Sequence, residues 1–591
     1  MDARVTGIKQ LSTDRIALQT KGLRKSYKKN EALHGIDLQI KPGELFGLIG
    51  PDGAGKTTIL QILAGVMDAS EGEVLVLDES ASKSRRKVAY VTQQFSLYPD
   101  LSIDENINYI GGLHHIPKIT IQERAAQFLK ETGLTKFRGR LASQLSGGMK
   151  QKLALCCALI SAPKVLLLDE PTAGVDPLSR REYWETISAL RTDDLTIVVA
   201  TPYWDEADRC DRIALVWDGS IDNCGTPAEL KKQLGVKRLL LRVNDNEKAL
   251  LLLSRSQANQ PNLLTDIYPL GDRIDILTKN VEASINLITD VLSDNKIKIE
   301  SIEKDEPTIE NVFYMHLKEK GQTPTEIPAM PSSKSAQKTG EQIQGSENKS
   351  PALSAENLRK EFGTFVAVHD LNLSVSYGEI YGLLGANGAG KTTTIQMLCG
   401  ITSPSDGKVL YANKTLAKGA EHRKQIGYMS QKCTLYEDLS VAENLEFYSS
   451  IYEIPLEERQ AQVDWVLNSC GLQNLSKELI AQLPKGWKQR IAFGAAIMHR
   501  PKILFLDEPT SGVDPVARRE IWQMIRRLAA EGTAIIVTTH FLDEAEYCNR
   551  LGLMVAGEVI AEGSSAELKA TAESKTLEDA FIKLVGSKER A

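Results

Sequence analysis

The sequence predicts an α/β protein that contains two copies of one phosphate-binding domain in tandem. The first observation is a glycine-rich loop at residues 50–57 that recurs at residues 385–392, an offset of 335. The second is the stretch 168–184, which recurs at 506–522 with 13 of 17 positions identical and an offset of 338. Because matched motifs recur in the same order at nearly one offset, we expect two homologous domains, at about residues 14–235 and 351–570.

Length and composition are typical of a globular protein with several domains. The chain has 591 residues, of which 42% are hydrophobic and 25% charged. The 71 Lys and Arg residues against 77 Asp and Glu residues give a net charge of −6. A general nucleic-acid binder usually has a surplus of basic residues, so no nucleic-acid partner is expected.

Neither a membrane span nor a cysteine framework is predicted. The longest apolar runs have the length of a strand, far short of the roughly 18 residues that a transmembrane helix needs. The first twelve residues lack the apolar core of a secretory signal. The eight cysteines include no Cys-x-x-Cys pair, so zinc and redox motifs are not indicated. Reduced thiols in a cytosol are the expectation.

A small α+β appendage is predicted at residues 236–318, between the two repeats. A role in binding a regulator and a role in packing or in stabilising a dimer are both open for it. The appendage is predicted from strand-like apolar runs at 238–243 and 273–277 and from helix-like stretches at 248–253 and 281–292.

A linker and a C-terminal segment complete the predicted organisation. Residues 319–350 are rich in Lys, Gln, Ser, Thr, Gly and Pro and poor in apolar groups, so they are predicted to be flexible. Residues 308–313 resemble residues 576–581, so each copy is expected to end in a similar helix. Residues 571–591 are therefore assigned to a C-terminal helix and tail.

Each repeat has a Gly-x-x-x-x-Gly-Lys-Thr loop between a strand-like and a helix-like run. Glycines let such a loop curl so that its N–H groups point at phosphate oxygens, and the following helix adds its N-terminal dipole. Lys56 or Lys391 is expected to reach the β- and γ-phosphates, and the hydroxyl of Thr57 or Thr392 to ligate Mg²⁺. The loop residues predicted to contact the nucleotide are Gly50, Pro51, Asp52, Gly53, Ala54, Gly55, Lys56, Thr57 and Thr58, and in the second copy Gly385, Ala386, Asn387, Gly388, Ala389, Gly390, Lys391, Thr392 and Thr393.

A pair of acids follows a second apolar strand-like run in each copy. The pairs are Asp169-Glu170 and Asp507-Glu508. The end of a parallel strand places the aspartate at the sheet edge beside the phosphate loop, where it can sit near Mg²⁺. The glutamate that follows can then polarise the attacking water.

The sequence resembles the ATP-binding-cassette family, and the deciding motif lies between the phosphate loop and the acid pair. Ser146, Gly147 and Gly148 lie in a Leu-Ser-Gly-Gly-Met-Lys-Gln stretch that is similar to the family's signature loop, and Gly486 holds the equivalent place in the second copy. The remaining matches are Gln93 and Gln431 to the Q-loop glutamine, Tyr27 and Phe362 to the adenine-stacking aromatic, Asp176 and Asp514 to the D-loop, and His540 to the switch histidine.

The resemblance implies the fold, the ligands and the activity. Each repeat is expected to have a RecA-like α/β core, an antiparallel β subdomain and a helical subdomain that carries the signature. ATP and Mg²⁺ are the implied ligands, and ATP hydrolysis is the implied activity. Residues implied at the metal are Thr57, Gln93, Thr392 and Gln431.

The resemblance also implies partners and a location. The Gly-Val-Asp-Pro and Asp-Glu-Ala-Glu stretches resemble the drug-export branch of the family, and the tandem arrangement resembles bacterial proteins with two fused ATPase domains and no membrane domain. Separate transmembrane permease subunits of the ABC-2 type are therefore expected, with the chain bound to the cytoplasmic face of the inner (plasma) membrane. The alternative is a tandem ATPase that acts on the ribosome or translation. That family typically has a long charged helical linker and two intact signatures, which this sequence lacks.

The two copies depart from the family pattern in different places. In the second signature, Pro484 replaces the serine and Lys485 replaces the first glycine. In the first copy, Pro202 stands where the second copy has His540. Proline has no hydroxyl and no backbone N–H to donate, so it cannot replace either group.

Head-to-tail pairing of the domains, which the resemblance implies, assigns both departures to one site. Each ATP would then lie between the phosphate loop of one domain and the signature of the other. One site would be competent, with Glu508 and His540 as catalytic residues facing the first signature. The other, built on Lys56, would be degenerate although it keeps Glu170, and hydrolysis at both sites is the alternative.

Overall fold

The computed structural model describes residues 16–28, 30–175, 177–261, 263–270, 273–320, 351–412, 414–415, 424–431, 434–513, 515–539 and 541–589. The chain divides into two compact units. The first comprises the residues up to Ala173 together with Arg180–Leu230, and the second comprises Gly174–Ser179 together with Lys231–Ala591. Most of the predicted linker, from residue 321 to residue 350, lies outside the described residues.

The first repeat alternates strands and helices along the chain. Its elements are β1 (Leu18–Tyr27), β2 (Asn30–Ile40), β3 (Leu45–Ile49), α1 (Lys56–Leu63), β4 (Glu71–Val76), β5 (Glu79–Ser80), α2 (Ala81–Ser84), β6 (Val88–Val91), α3 (Ile103–Leu113), α4 (Lys118–Glu131), α5 (Gly147–Leu159), β7 (Val165–Asp169), α6 (Pro177–Ala189), β8 (Thr196–Thr201), β9 (Arg212–Trp217), β10 (Ser220–Gly225) and α7 (Pro227–Gln233).

A six-stranded sheet in the order β10-β9-β3-β8-β7-β6 forms the core of this repeat. Its pairings are parallel except that of β10, which is antiparallel to β9 at one edge. Strands β3, β7 and β8 are rich in Val, Leu and Ile and buried throughout, as expected for a parallel sheet covered on both faces. Because β8 lies between β3 and β7, the segments that follow these three strands meet at one edge of the sheet.

A second sheet and a helical part complete the first repeat. The sheet is antiparallel, in the order β2-β1-β4-β5. Helices α3, α4 and α5 share their own apolar cluster, which includes Ile103, Leu129 and Leu153. At the start of α3, the carboxylate of Glu105 accepts from the Ser102 N–H at 2.8 Å while the Ser102 hydroxyl accepts from the Glu105 N–H. This capping box fixes the helix start.

The appendage has the β-α-β-β-α-β order of a ferredoxin-like fold. Its four strands pair antiparallel in the order β12-β13-β11-β14. Leu239, Leu241, Ile274 and Ile276 lie in one apolar cluster with Ile288 of the second of its helices. Its elements are β11 (Lys237–Val243), α8 (Asn246–Asn259), β12 (Asp266–Leu270), β13 (Arg273–Thr278), α9 (Val281–Asp294) and β14 (Ile299–Asp305), followed by α10 (Ile309–Glu319).

The second repeat has the same architecture as the first. Its core sheet runs β24-β23-β17-β22-β21-β20, and its antiparallel sheet runs β16-β15-β18-β19. The elements are β15 (Leu353–Phe362), β16 (Phe365–Val375), β17 (Ile380–Gly385), α11 (Lys391–Leu398), β18 (Asp406–Tyr411), β19 (Lys414–Thr415), β20 (Ile426–Met429), α12 (Val441–Ile451), α13 (Leu456–Ser469), α14 (Lys485–Ile497), β21 (Ile503–Asp507), α15 (Pro515–Ala530), β22 (Ala534–Thr539), α16 (Leu542–Ala545), β23 (Arg550–Val555), β24 (Glu558–Gly563), α17 (Ser565–Thr571) and α18 (Leu577–Glu589).

The fold class expected from the sequence is confirmed, with three parts in each repeat. Helices α10 and α18, at the two related segments, begin in the same way: the Thr308 and Thr576 hydroxyls each accept from a backbone N–H at 3.1 Å. Strands β12 and β14 of the appendage were not predicted, because neither has a clear alternation of apolar residues. In the described part of the chain, no helix is both long and apolar enough to cross a membrane.

Candidate functional site

The phosphate loop has the same backbone geometry in both repeats. It connects β3 to α1, and β17 to α11, and the residue before each helix is a glycine with φ of 103°. A side chain at Gly55 or Gly390 would be strained at this φ. At the start of the loop, a Cβ on Gly50 would lie 2.2 Å from the carbonyl oxygen of Val216. These glycines are therefore required by the path of the backbone.

The loop lysines are buried and hold the loop closed. The Nζ of Lys56 donates to the carbonyl oxygens of Gly50 and Pro51 at 2.7 and 2.8 Å. Lys391 makes the same pair of bonds, at 2.7 Å to Gly385 and 3.0 Å to Ala386. Each cation thus bonds two neutral carbonyl groups of the loop, which a phosphate oxygen can replace as a stronger, charge-assisted acceptor.

The aspartates at the ends of β7 and β21 face the loop threonines. Asp169 accepts from the Thr57 hydroxyl at 3.0 Å and from the Tyr90 hydroxyl at 2.8 Å. Burial raises the pKa of Asp169, and the two hydroxyl donors oppose this shift. Burial also raises the pKa of Asp507, whose carboxylate is bonded by Thr538 and Thr392. The tertiary structure thus brings together two groups that are 112 residues apart in the first repeat.

These oxygens fit a Mg²⁺ ion. A carboxylate and a hydroxyl next to a phosphate loop are hard oxygen ligands, which Mg²⁺ prefers. Oδ2 of Asp507 is buried and has no hydrogen-bond partner within the described residues. A cation beside Asp507 and Thr392 would satisfy this oxygen. The amide nitrogens of Gln93 and Gln431, the glutamines expected at the metal, point at Glu170 and Glu508.

The two glutamates occupy equivalent and unusual positions. Glu170 and Glu508 are 5% and 7% exposed, and their φ angles are 47° and 51°, in the left-handed region. Such a conformation costs free energy in a residue other than glycine and is commonly found at active sites. The Nε2 of Gln93 donates to Glu170 at 2.7 Å, and that of Gln431 donates to Glu508 at 3.0 Å.

The carboxyl group of Glu170 has an altered proton affinity. Burial raises its pKa to about 7, although Lys56, 3.6 Å away, opposes the shift. The negative charges of Asp52 and Asp169 raise the pKa further. A carboxyl group with a pKa near neutrality can exchange protons with water at physiological pH.

The aromatic residues predicted to stack on adenine lie at the ends of equivalent strands. Tyr27 ends β1 and Phe362 ends β15, and they are 44% and 53% exposed. Each has a lysine within about 5.5 Å of its ring, Lys25 and Lys360 respectively. An exposed aromatic face at this place is available to a flat base.

The two signature segments lie at the starts of equivalent helices, but the residues that precede these helices differ. Ser146 precedes α5, and its hydroxyl accepts from the Met149 N–H at 3.3 Å. Gly147 and Gly148 form the first residues of that helix. Pro484 precedes α14 and provides no side-chain cap. The second signature has therefore lost the hydroxyl while keeping the helix.

Three predicted site residues, Asp176, Asp514 and His540, lie outside the described residues. The neighbouring positions are described. Thr201 ends β8 immediately before Pro202, and Thr539 ends β22 immediately before residue 540. Both segments therefore follow the strand that lies between the phosphate-loop strand and the acid strand, at the expected sheet edge.

A buried glutamate, which the motifs of the sequence do not assign to the site, connects the loops of each site. In the first repeat Glu206 is fully buried and accepts from Thr172 at 2.7 Å, Thr201 at 2.5 Å and Arg180 at 2.8 Å. Glu206 thereby connects the loop after Glu170, the end of β8 and helix α6. A recurring Asp-Glu-Ala triplet, at residues 205–207 and 543–545, was the available sequence signal.

Glu544 makes the equivalent connections in the second repeat. It accepts from the hydroxyls of Thr510 and of Thr539, the latter at 2.8 Å. The Nε of Arg518 lies 3.7 Å from its carboxylate. A buried carboxylate with this many donors holds its neighbours in one arrangement.

Comparison with known proteins agrees with this geometry. The family model described as ABC transporter matches residues 33–173 and 368–511. Over 564 residues the chain is 37% identical to the probable multidrug ABC transporter ATP-binding protein YbhF of Escherichia coli (strain K12), covering 94% of this chain and 95% of that protein.

Two shorter relatives each cover half of the chain. The linearmycin resistance ATP-binding protein LnrL of Bacillus subtilis (strain 168) is 31% identical over 302 residues, which are 50% of this chain and 96% of that protein. The daunorubicin/doxorubicin resistance ATP-binding protein DrrA of Streptomyces peucetius is 32% identical over 305 residues, which are 50% of this chain and 91% of that protein.

Proposed function

This chain belongs to the ABC transporter family of ATP-binding proteins, which are ATPases, and on this premise we propose that it powers a multidrug-type exporter through separate membrane permease subunits. The observation that carries the proposal is the cluster of Lys391, Asp507 and Glu508 at one sheet edge of the second repeat, where the charges of Lys391 and Glu508 both act on Asp507. Export is proposed from the multidrug and drug-resistance names of the relatives.

The residues of the second repeat suit ATP hydrolysis. Lys391 can exchange its loop carbonyls for phosphate oxygens, and the N-terminus of α11 adds N–H groups and its dipole. Glu508 stands after the aspartate strand, where its carboxylate can polarise a water molecule once the Gln431 amide moves away. Mg²⁺, when held by Asp507 and Thr392, would neutralise charge on the phosphates.

We further propose that the two ATP sites are unequal. If the repeats pair head to tail, the site of Lys391 receives the Ser146 hydroxyl, and the site of Lys56 receives Pro484 instead. Phosphoryl transfer depends mainly on positioning and charge stabilisation, so loss of contacts to the γ-phosphate slows it. ATP would then be bound at both sites and hydrolysed mainly at the second repeat.

The permease partners are proposed to be of the ABC-2 type, on the cytoplasmic face of the inner membrane. An exposed aromatic pair in each repeat supports such a partner. Tyr98 and Tyr109 meet edge to face with their ring centroids 4.8 Å apart, and Tyr436 and Phe447 do so at 4.7 Å. These pairs follow the Q-loop glutamines in sequence, and aromatic residues are enriched at protein interfaces.

The proposal can be tested by affinity purification of the tagged full-length protein from detergent-solubilised native cells. A multi-span permease should copurify with the wild type, and less of it with the double variant Tyr436→Ser and Phe447→Ser. A matched surface control is Leu456→Ser, because Leu456 is an exposed apolar residue on the neighbouring helix α13. Recovery of ribosomal proteins without a permease would contradict the proposal and favour the role in translation.

A further inference from the structure

The appendage follows the first repeat in sequence but belongs to the compact unit of the second repeat. Within that unit, strand β12 and helix α10 lie against α15 of the second ATPase domain. The docking face is defined as four of the described residues in this contact, Asp266 and Tyr268 of β12 and Glu310 and Tyr314 of α10.

Arg519 of α15 is enclosed by the docking face. Its side chain is 8% exposed, with Nη1 3.2 Å from Oδ2 of Asp266 and Nε 3.9 Å from Oε1 of Glu310. Its guanidinium carbon lies 4.7 Å from the ring centre of Tyr268 and 3.9 Å from that of Tyr314. A buried guanidinium that meets two carboxylates and two aromatic rings fixes how β12 and α10 lie against α15. Moving either element away would leave a buried charge without its partner, which costs free energy.

A second contact reaches the segment that follows residue 540. The rings of Tyr268 and Tyr547 meet edge to face, with their centroids 6.0 Å apart. Tyr547 in turn lies 4.9 Å from the ring of Trp522 on α15. The docking face therefore contacts both α15 and the chain beyond α16.

The helix held by the docking face also supports the hydrolytic residues. Arg518, next to Arg519, lies 3.7 Å from the carboxylate of Glu544. That carboxylate holds Thr510, two residues after Glu508, and Thr539, which precedes residue 540 in the chain. A continuous set of contacts thus leads from the appendage to both sides of the second ATP site.

The first repeat offers a matched comparison. Arg181 occupies the position of Arg519, at the offset of 338. Its side chain is 39% exposed and pairs with Glu185, one turn along the same helix, at 3.3 Å. The same arginine therefore has a local surface partner in one repeat and a buried docking partner in the other.

We propose that Arg519 is a positioning residue for ATP hydrolysis and that the appendage, through its docking face, holds the catalytic loops of the second repeat in their active arrangement. The inference rests on the proposed competence of the second ATP site. It assigns the appendage an intramolecular role in regulating turnover. Ligands or partners that loosen the docking face would slow hydrolysis without occupying the ATP site.

The test compares Arg519→Ala with Arg181→Ala in the full-length chain, purified together with any partners that copurify. For Arg519→Ala, kcat for ATP should fall about threefold to tenfold while KM changes less than about twofold. For Arg181→Ala, both constants should stay within about twofold of the wild type. Arg519→Lys should recover part of kcat, because it keeps the charge but not the planar fork.

A second variant keeps the test valid if Arg519→Ala folds poorly. Tyr314→Leu removes the ring over the guanidinium but leaves both carboxylates in place, and it should lower kcat with unchanged KM. Wild-type kcat in folded Arg519→Ala or Tyr314→Leu, or a loss confined to thermal stability, would overturn the proposal. Glu508→Gln is measured in parallel: if it retains activity, the assignment of the competent site is wrong, independently of the docking face.

Discussion

The side-chain amide of Gln431 donates a hydrogen bond of 3.0 Å to the carboxylate of Glu508. Gln93 and Glu170 make the equivalent bond at 2.7 Å. The donor occupies one oxygen of each carboxylate, so movement of the glutamine and exposure of that oxygen are coupled. Because both repeats share this bond, it does not distinguish them, and the proposed difference in their activity rests on other residues, among them Pro202 and Pro484.

Glu508→Gln should reduce ATPase activity about a hundredfold or more, whereas Glu170→Gln should leave at least about half of it. A glutamine keeps the shape of the side chain but cannot accept a proton, and general-base contributions are of this size. Steady-state ATP hydrolysis by the two variants and the wild type is the measurement. Equal losses from the two substitutions would refute the proposed asymmetry.

Ser146→Ala should lower ATPase activity strongly, and Pro484→Ala should change it little. The first change removes the hydroxyl that caps α5 and that is proposed to meet the γ-phosphate, while the second removes no donor. Loss of the cap itself should cost about 1 kcal/mol of stability, so thermal unfolding of both variants separates the two effects. A similar loss of activity in both variants would contradict the assignment of Ser146 to the competent site.

Phe362→Ala should raise KM for ATP about tenfold with little change in kcat. Stacking of an aromatic ring on a base contributes about 1–3 kcal/mol, and the loss weakens ground-state and transition-state binding alike. Because Phe362 is 53% exposed, the substitution should not destabilise the fold. Tyr27→Ala is the control in the other repeat and should affect KM less, since that site is proposed to contribute less to turnover. An unchanged KM in Phe362→Ala would exclude stacking.

Glu170→Gln should stabilise the nucleotide-free protein at pH 8 but not at pH 5. Burial raises the pKa of Glu170 from 4.5 to about 7, so the folded state binds this proton more tightly than the unfolded state. Stability therefore falls as pH rises from about 4.5 through about 7, by at most roughly 3 kcal/mol. Thermal unfolding of both proteins across this range is the measurement. A stability difference that does not vary with pH would contradict the raised pKa.

Much of the site was predictable because its chemistry is local in sequence. The phosphate loop needs glycines at fixed spacing, and the φ of 103° at Gly55 and Gly390 is the physical reason. The acid pairs after apolar strands were also predictable, since a parallel strand delivers its C-terminal residue to a known edge. Their roles, and those of the signature residues, remain predictions until the substitutions above are measured.

Other features of the site could not be predicted from spacing. The left-handed backbone at Glu170 and Glu508 could not be predicted from the residue type, because glutamate seldom adopts this conformation. The buried role of Glu206 depends on Thr172, Thr201 and Arg180, which come from three separate elements. A recurring Asp-Glu-Ala triplet marks the position, but only the packing shows that its glutamate holds the loops.

The tandem repeat, the fold of each repeat and the positions of the phosphate loops and acid pairs could be predicted from the sequence, because local motifs and hydrophobic patterns encode them. The place of the appendage is visible only in the folded chain. Its place in the sequence, directly after the first repeat, would predict that the appendage packs on that repeat. Yet Asp266 of the appendage pairs with Arg519 of the second repeat, 253 residues further along the chain. A long-range pairing of this kind depends on buried charge and aromatic contacts between distant segments, which no local pattern encodes.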